Sequence, residues 1–307
     1  MRYVIIGGSA AAIGCIEGVR SVDKTGEIIL ITGETEWNYS RPLISYLLEG
    51  KTTRDKMWCR PDSFFTRNGV TVKAGVLATA LDAGDRTVRL STGERLAYDR
   101  LLAATGSRPF VPPIPGLETV ERTFCFQTLS DASALAEALR PESRVLILGA
   151  GLTGVKCAEG IRGLCAQIAI ADLAPRVLPA VLDDTGAALV QARMEEKGVR
   201  FYLNDSAAAF RGNTARLQSG TELEFDVLVT AVGVRPNTQL VADAGGAVDR
   251  GILVDGRCAT TLPDVYAAGD CAQGYDAVSG EKRMLPLWPN AVLQGETAGI
   301  NMAGGRA

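Results

Sequence analysis

The sequence predicts an α/β protein built from two copies of one doubly wound unit. Two observations carry this. A pattern of apolar strand, Gly-rich turn, helix, second strand and acid begins at residue 2 and again at residue 144. A second pattern, residues 98–109, is echoed by residues 225–236. Internal duplication describes a whole architecture, and strands alternating with helices give parallel sheets.

In chain order, residues 2–6 form a short apolar β-type run, followed by Gly7-Gly8-Ser9-Ala10-Ala11-Ala12 and a helix-like stretch to about Arg20. Residues 28–32 give the second strand, before Glu34. Residues 98–109 read Tyr-Asp-Arg-Leu-Leu-Ala-Ala-Thr-Gly-Ser-Arg-Pro, and a Pro-rich crossing from Pro109 to Pro115 reads as an extended interdomain linker. Residues 144–148 restart the design with Gly149-Ala150-Gly151-Leu152-Thr153-Gly154, a helix-like stretch, and a strand over 168–171 before Asp172. Residues 225–236, Phe-Asp-Val-Leu-Val-Thr-Ala-Val-Gly-Val-Arg-Pro, close the second copy.

A pyrophosphate needs close backbone approach and the positive end of a helix, which supplies unpaired N–H groups. Gly149, Gly151 and Gly154 satisfy the G-x-G-x-x-G spacing after a strand. The first copy keeps Gly7, with Ser9 and Ala12 in place of the second and third glycines. Ala12 still permits close helix–sheet packing, and the Ser9 hydroxyl is itself a donor for phosphate. Glu34 and Asp172 stand where an acid accepts hydrogen bonds from ribose hydroxyls; the plain alternative is a solvated acid at a strand end. Asp172 disfavours a 2′-phosphate, so NADH is expected over NADPH, with Arg176 the residue able to relax that preference.

Bulk properties narrow the chemistry. The 307 residues suffice for two cores, 47% are hydrophobic and 22% charged, and the net charge is −3. That balance argues against nucleic acid as a partner. The apolar strand follows Met1-Arg2 with no targeting segment between, and no run approaches a membrane span, so a cytoplasmic location is expected. Seven cysteines show no C-x-x-C spacing, and there is no histidine. No metal site is expected, and a Ser-His-Asp triad and a histidine base are excluded.

The motif order resembles the FAD-dependent pyridine nucleotide–disulfide oxidoreductase superfamily, on the branch of NADH:rubredoxin reductases and nitrite reductase flavin modules. The matching pieces are residues 3–7, Tyr39-Ser40-Arg41-Pro42-Leu43-Ile44-Ser45, residues 98–109, 149–154 and 232–237, and Tyr266-Ala267-Ala268-Gly269-Asp270 with Thr260-Thr261 ahead of it. The resemblance implies two Rossmann-like dinucleotide-binding domains. An FAD domain (1–115 and 243–307) is interrupted by an inserted NAD(P)H domain (116–242). It implies that Asp270, after Gly269, contacts the ribityl and phosphate end of FAD; a helix-capping aspartate is compatible with the same position. It places Arg41, Pro42 and Ser45 along the flavin, Ala78 near the adenine, Thr105 and Gly106 close to the cofactor, and Gly233 at the matching turn. Residues 287–291, with Trp288 and Ala291, precede a helix-like run over 292–302 whose positive end would face the flavin; plain packing is the other role for Trp288.

Three departures follow. The redox cysteine of disulfide reductases falls at Pro42, and no cysteine lies between Cys15 and Cys59. Cys59 is the stand-in thiol, or an inert small hydrophobe; Cys271 reads as structural. Lys156 replaces a glutamate expected near the nicotinamide, either favouring reduced flavin or lying solvated on its helix. The resemblance also implies a C-terminal domain beyond the helix over 292–302, which residues 303–307 do not reach. The expected function is an FAD-dependent NADH:acceptor oxidoreductase, with a rubredoxin-like or iron–sulfur protein, or a small molecule, as acceptor. The alternatives are an NADH oxidase or CoA-disulfide reductase-like enzyme using Cys59, and a non-catalytic flavin-binding redox sensor.

Overall fold

The computed structural model describes residues 1–307 and divides into two compact units. The first comprises residues 1–40, 58–107 and 236–307; the second comprises 41–57 and 108–235. The boundaries expected from sequence were 115 and 242.

The first unit is a five-stranded sheet of β1 (Arg2–Ile6), β2 (Glu27–Thr32), β3 (Val70–Ala74), β7 (Arg100–Ala103) and β19 (Val265–Ala267), in the order β19-β7-β1-β2-β3. All its pairings are parallel. Parallel strands covered on both faces need continuous apolar runs, and Val4, Ile5, Leu30 and Leu101 are fully buried. Each such side chain contributes about 1.5–3 kcal/mol relative to exposure. One face carries α1 (Ala10–Val22) and α8 (Trp288–Met302); α3 (Asp62–Arg67) completes that layer. A three-stranded antiparallel meander, β4 (Ala78–Asp82), β5 (Thr87–Leu90) and β6 (Arg95–Ala97), and α7 (Gln239–Asp243) cover the other. A small sheet of β18 (Ile252–Leu253), β20 (Ala272–Tyr275) and β21 (Lys282–Arg283) follows the same core.

The second unit repeats the plan. Strands β9 (Thr123–Phe124), β10 (Arg144–Leu148), β11 (Gln167–Asp172), β12 (Val199–Leu203) and β16 (Val227–Thr230) run β12-β11-β10-β16-β9. The meander is β13 (Ala207–Arg211), β14 (Thr214–Leu217) and β15 (Glu222–Glu224). Its helices are α2 (Ile44–Leu48), α4 (Leu129–Ala138), α5 (Leu152–Ile161) and α6 (Asp184–Glu195). Short strands β8 (Ser107–Pro109) and β17 (Val234–Pro236) carry the chain from one unit to the other and back.

The duplication extends to single atoms. Asp99 accepts the Arg2 backbone N–H at 2.6 Å, and Asp226 accepts that of Arg144 at 2.8 Å. A Cβ on Gly7 would lie 2.0 Å from the Ala104 carbonyl oxygen, and one on Gly149 2.3 Å from that of Ala231. Both glycines hold positive φ, +122° and +109°. Each first strand therefore crosses its neighbour so closely that only glycine fits at its exit. Both meanders shift register at the same place, between Ala78 and Ala80 and between Ala207 and Ala209.

In the first unit, α1 and α8 approach through glycines on both helices. A Cβ at Gly14 would meet the Val292 carbonyl oxygen at 2.2 Å, and one at Gly295 would meet that of Ala11 at 2.0 Å. Gly18 and Gly299 repeat this one turn along. Helix α8 begins at Trp288, four residues ahead of the expected 292. Leu287, at its N-cap, offers no polar side chain, so the start lacks the usual signal; Pro289 in the first turn marks it instead.

Candidate functional site

Long helices usually close their first turn with a side chain, because four N–H groups there lack partners. Helix α4 does so with Thr128 and Asp131 as a capping box, and α6 with Asp183, which accepts the Gly186 N–H at 2.8 Å. Helices α1, α5 and α8 have neither a side-chain cap nor an acid in the first turn. These three are the helices that the sequence aims at cofactors.

In the first unit, α1 starts at Ser9, whose side chain makes no capping bond. Ala12 is fully buried, as close helix–sheet packing requires. Gly8 is required too, since a Cβ there would meet Thr32 Oγ1 at 2.9 Å; Thr32, at the end of β2, gave no sequence signal of this. Glu34 follows β2, and its Oε2 accepts the Tyr39 hydroxyl at 2.6 Å. Val76 N–H bonds the Thr32 carbonyl, which carries Ala78 into β4 just beyond the end of β2. After β7, Thr105 Oγ1 donates to the Asn237 carbonyl at 2.6 Å and Asn237 Nδ2 to that of Thr105 at 2.9 Å. Gly106, at φ +63°, has open space where a Cβ would stand. After β19, Gly269 at φ +80° packs against Ala11 of α1 and Ala291 of α8. Its N–H donates to Gln294 Oε1 at 2.9 Å. Asp270 Oδ2 accepts the Ser107 hydroxyl at 3.2 Å. Asp270 caps no helix: after the buried Cys271 the chain continues as β20 from Ala272. Gly7, Ser9, Ala12, Thr105, Gly106, Gly269, Asp270 and Ala291 thus gather at the carboxyl ends of β1, β7 and β19. Trp288, in the first turn of α8, is 41% exposed and stands outside the core cluster.

In the second unit, α5 starts at Gly151, where an added Cβ would meet nothing within 4 Å. Gly154 closes the loop, its Cβ position 1.9 Å from the Gly149 carbonyl oxygen. Asp172 ends β11 beside this loop. Its carboxylate accepts the Ala150 N–H at 2.5 Å and the Ala174 N–H at 2.7 Å, which fixes its orientation. Gly233, at φ +118°, is open like Gly106. Arg176 is held by Asp184 at 3.1 Å and faces the Leu182 carbonyl at 3.3 Å.

Arg41, Pro42, Ser45 and Lys156 also belong to this unit. Arg41 and Pro42 form a 3-10 turn, with Arg41 Nη1 donating to the Gln127 carbonyl at 3.1 Å. Ser45 is 1% exposed, and its hydroxyl has no hydrogen-bond partner. Gly160 of α5 lets α2 approach, its Cβ position 3.0 Å from the Ser45 carbonyl oxygen. Lys156 is not a freely solvated helix residue. It pairs with Glu159 and lies 4.1 Å from the centre of the Tyr46 ring. The hydrogen bond from Lys156 holds the Glu159 carboxyl below its ordinary range. Neither partner was legible in sequence, although Glu159 stands at helical spacing from Lys156.

The two thiols singled out by the sequence, Cys59 and Cys271, are quiet. Burial pushes the Cys59 thiol up, against the adjacent Arg60, and a protonated thiol is a poor nucleophile. Cys271 is fully buried and donates to the Ala103 carbonyl at 3.3 Å.

The donor set fits two pyrophosphates: uncapped helix starts, glycines that leave the backbone bare, and an acid beside each loop. Comparison with known proteins agrees. Residues 1–295 match the family model for pyridine nucleotide-disulphide oxidoreductases. The chain is 33% identical to the NADH-dependent phenylglyoxylate dehydrogenase subunit epsilon of Aromatoleum evansii, over 99% of this chain and 72% of that one. It is 32% identical to the assimilatory nitrate reductase electron transfer subunit of Bacillus subtilis, over 91% of this chain and only 37% of that protein. A crystal structure of the covalent putidaredoxin reductase–putidaredoxin complex superposes with a TM-score of 0.92 at 26% identity, covering 99% of this chain and 76% of that one. No helix here is long and apolar enough to cross a membrane. With the motifs, the sheet order and the family match in agreement, the chain belongs to the pyridine nucleotide-disulphide oxidoreductases.

Proposed function

We propose that this chain is an FAD-dependent NADH:acceptor oxidoreductase that delivers electrons to a small protein carrier. The observation that carries the reading is the set of three uncapped helix starts, α1, α5 and α8, in a chain that caps α4 and α6 with its own side chains. FAD held by these residues would supply the redox chemistry, accepting hydride from NADH and releasing electrons to the acceptor. In this reading residues 1–115 and 243–307 hold FAD and residues 116–242 hold NADH.

The chain's own residues then bind and orient. The α1 start, with Gly7 and Ser9, receives one pyrophosphate, and Glu34, fixed by Tyr39, receives a ribose. Asp270, steadied by Ser107, holds the ribityl end, with Thr105, Gly106 and Gly269 leaving the backbone bare beside it. The α8 dipole favours negative charge before Trp288. The α5 start and Asp172 receive NADH. Asp172 is already oriented by two backbone N–H groups, and Arg176 is engaged by its own loop, so a 2′-phosphate finds a carboxylate rather than a free guanidinium. Lys156 is engaged by Glu159 and by the face of the Tyr46 ring, which partly offset its charge.

A protein acceptor is favoured by Pro42 standing where disulfide reductases carry their redox cysteine, and by the names of the relatives, an electron transfer subunit and a reductase complexed with its redox partner. Seven unpaired cysteines suit a reducing compartment, the cytoplasm. The test is the absorption spectrum of the FAD-reconstituted protein before and after anaerobic NADH. A flavin band that bleaches, and recovers when oxidised rubredoxin or ferredoxin is added, is the expected result. A band that NADH leaves unchanged would overturn the reading in favour of a flavin-binding sensor.

A further inference from the structure

Helix α6 covers its side of the second unit incompletely. Of its twelve residues only Ala187 is buried, although Leu189, Val190 and Met194 give it an apolar side. Leu189 is 70% exposed. Between that side and α5 runs a cleft of about 330 Å³, lying wholly within the second unit. Its floor is Val155, Ala158 and Val199, all buried, so apolar atoms of the core line the bottom.

The rim is lopsided in charge. Arg162, Arg193 and Lys197 stand around it against one carboxylate, Glu159. Glu159 is already paired with Lys156, and Arg193 with Glu196. Arg162 and Lys197 have no carboxylate within ion-pair distance. Glu159 feels Lys197 only at longer range, beyond ion-pair distance. An apolar trough with Arg162 and Lys197 unpaired at its lip favours a molecule with an apolar body and an anionic head. The size is that of small-molecule sites and far below a protein interface.

We propose that the α5–α6 cleft is a binding site for a small amphipathic carboxylate, its chain on Val155, Ala158 and Val199 and its head at Arg162 and Lys197. The site is separate from the Gly149–Gly154 loop, which lies at the start of α5. It is independent of the flavin and NADH assignment.

The experiment is a titration of the 307-residue chain, carrying ¹³C-methyl methionine, with octanoate, and with octanol as the neutral probe of equal body. The Met194 methyl reports the cleft wall; Met57 and Met302, buried elsewhere, report the fold. Octanoate is expected to shift Met194 saturably, with Met57 and Met302 unmoved and octanol at least about tenfold weaker. Arg162→Glu, at an exposed position, should weaken octanoate by about tenfold, and Val190→Trp should fill the cleft and abolish the shift. No saturable Met194 shift up to about 10 mM octanoate overturns the proposal. So does octanol binding as tightly as octanoate, or octanoate binding that ignores Arg162→Glu.

Discussion

The two units share one plan and use it with different tolerances. In the first, the helix after the glycine turn is locked to a second helix, backbone on backbone, through Gly14, Gly18, Gly295 and Gly299. In the second, the equivalent helix meets the short α2 through Gly160, and leaves a cleft between itself and α6. The first loop, with less glycine, is attached to the more rigid helix pair. The second, with its full set of glycines, is attached to the looser one. Loop composition and helix packing are thus separate variables in one fold.

The contrast breaks most sharply at the helix crossing. Gly295→Val should cost at least about 3 kcal/mol in chemical denaturation, because the side chain meets backbone that cannot move aside. Gly160→Ala, whose Cβ faces Ser45 at 3.0 Å, should cost about 1 kcal/mol or less. Equal losses would show that the two helices are held alike. Next in size are the acids. Asp270→Ala should weaken FAD retention about 10- to 100-fold in a fluorescence titration, and Asp172→Asn should do the same for NADH while sparing FAD. Gly151→Ser gives the second loop the residue of the first. With open space around it, stability should stay within about 0.5 kcal/mol. NADH should bind about tenfold more weakly, since the new side chain enters the face reserved for phosphate.

The smallest effect sharpens the comparison best. Tyr98 occupies the position held by Phe225 in the second copy, and both are buried. The Tyr98 hydroxyl has no hydrogen-bond partner, and burial pushes its pKa up to about 12. Tyr98→Phe should therefore be neutral or stabilising by about 1 kcal/mol at pH 7. The folded state resists losing the phenolic proton, so the wild type should lose stability relative to the Tyr98→Phe variant as pH rises from about 10 to about 12. A gap between the two proteins that stays constant over that window would show that the hydroxyl ionises as freely in the folded chain as in the unfolded one, and so is not desolvated.

Much of this was legible because the signals are local. Gly149, Gly151 and Gly154, the acids after the second strands, and the echo of residues 98–109 in 225–236 announce strand, turn and helix within a few residues of one another. What was hidden depends on distant partners. Nothing near Lys156 in sequence names Tyr46. Nothing around Gly14 names Gly295, and a glycine inside a helix reads locally as a weakness rather than a contact. The start of α8 escapes the sequence pattern because Leu287 is no cap. A helix after Asp270 stays compatible with the pattern because the strand that does follow is only four residues long.

The meeting of α1 with α8 also governs the order in which the molecule can form. Cys15 touches Met302 across 287 positions of chain. The first unit therefore cannot close until nearly all of these residues have left the ribosome, whereas the second, but for residues 41–57, is one continuous stretch. At elongation rates of about 5–20 residues per second, the opening strand–turn–helix waits about 15–60 seconds for its last helix. During that wait the glycine-lined face of α1 is uncovered, and the inserted unit is free to fold first.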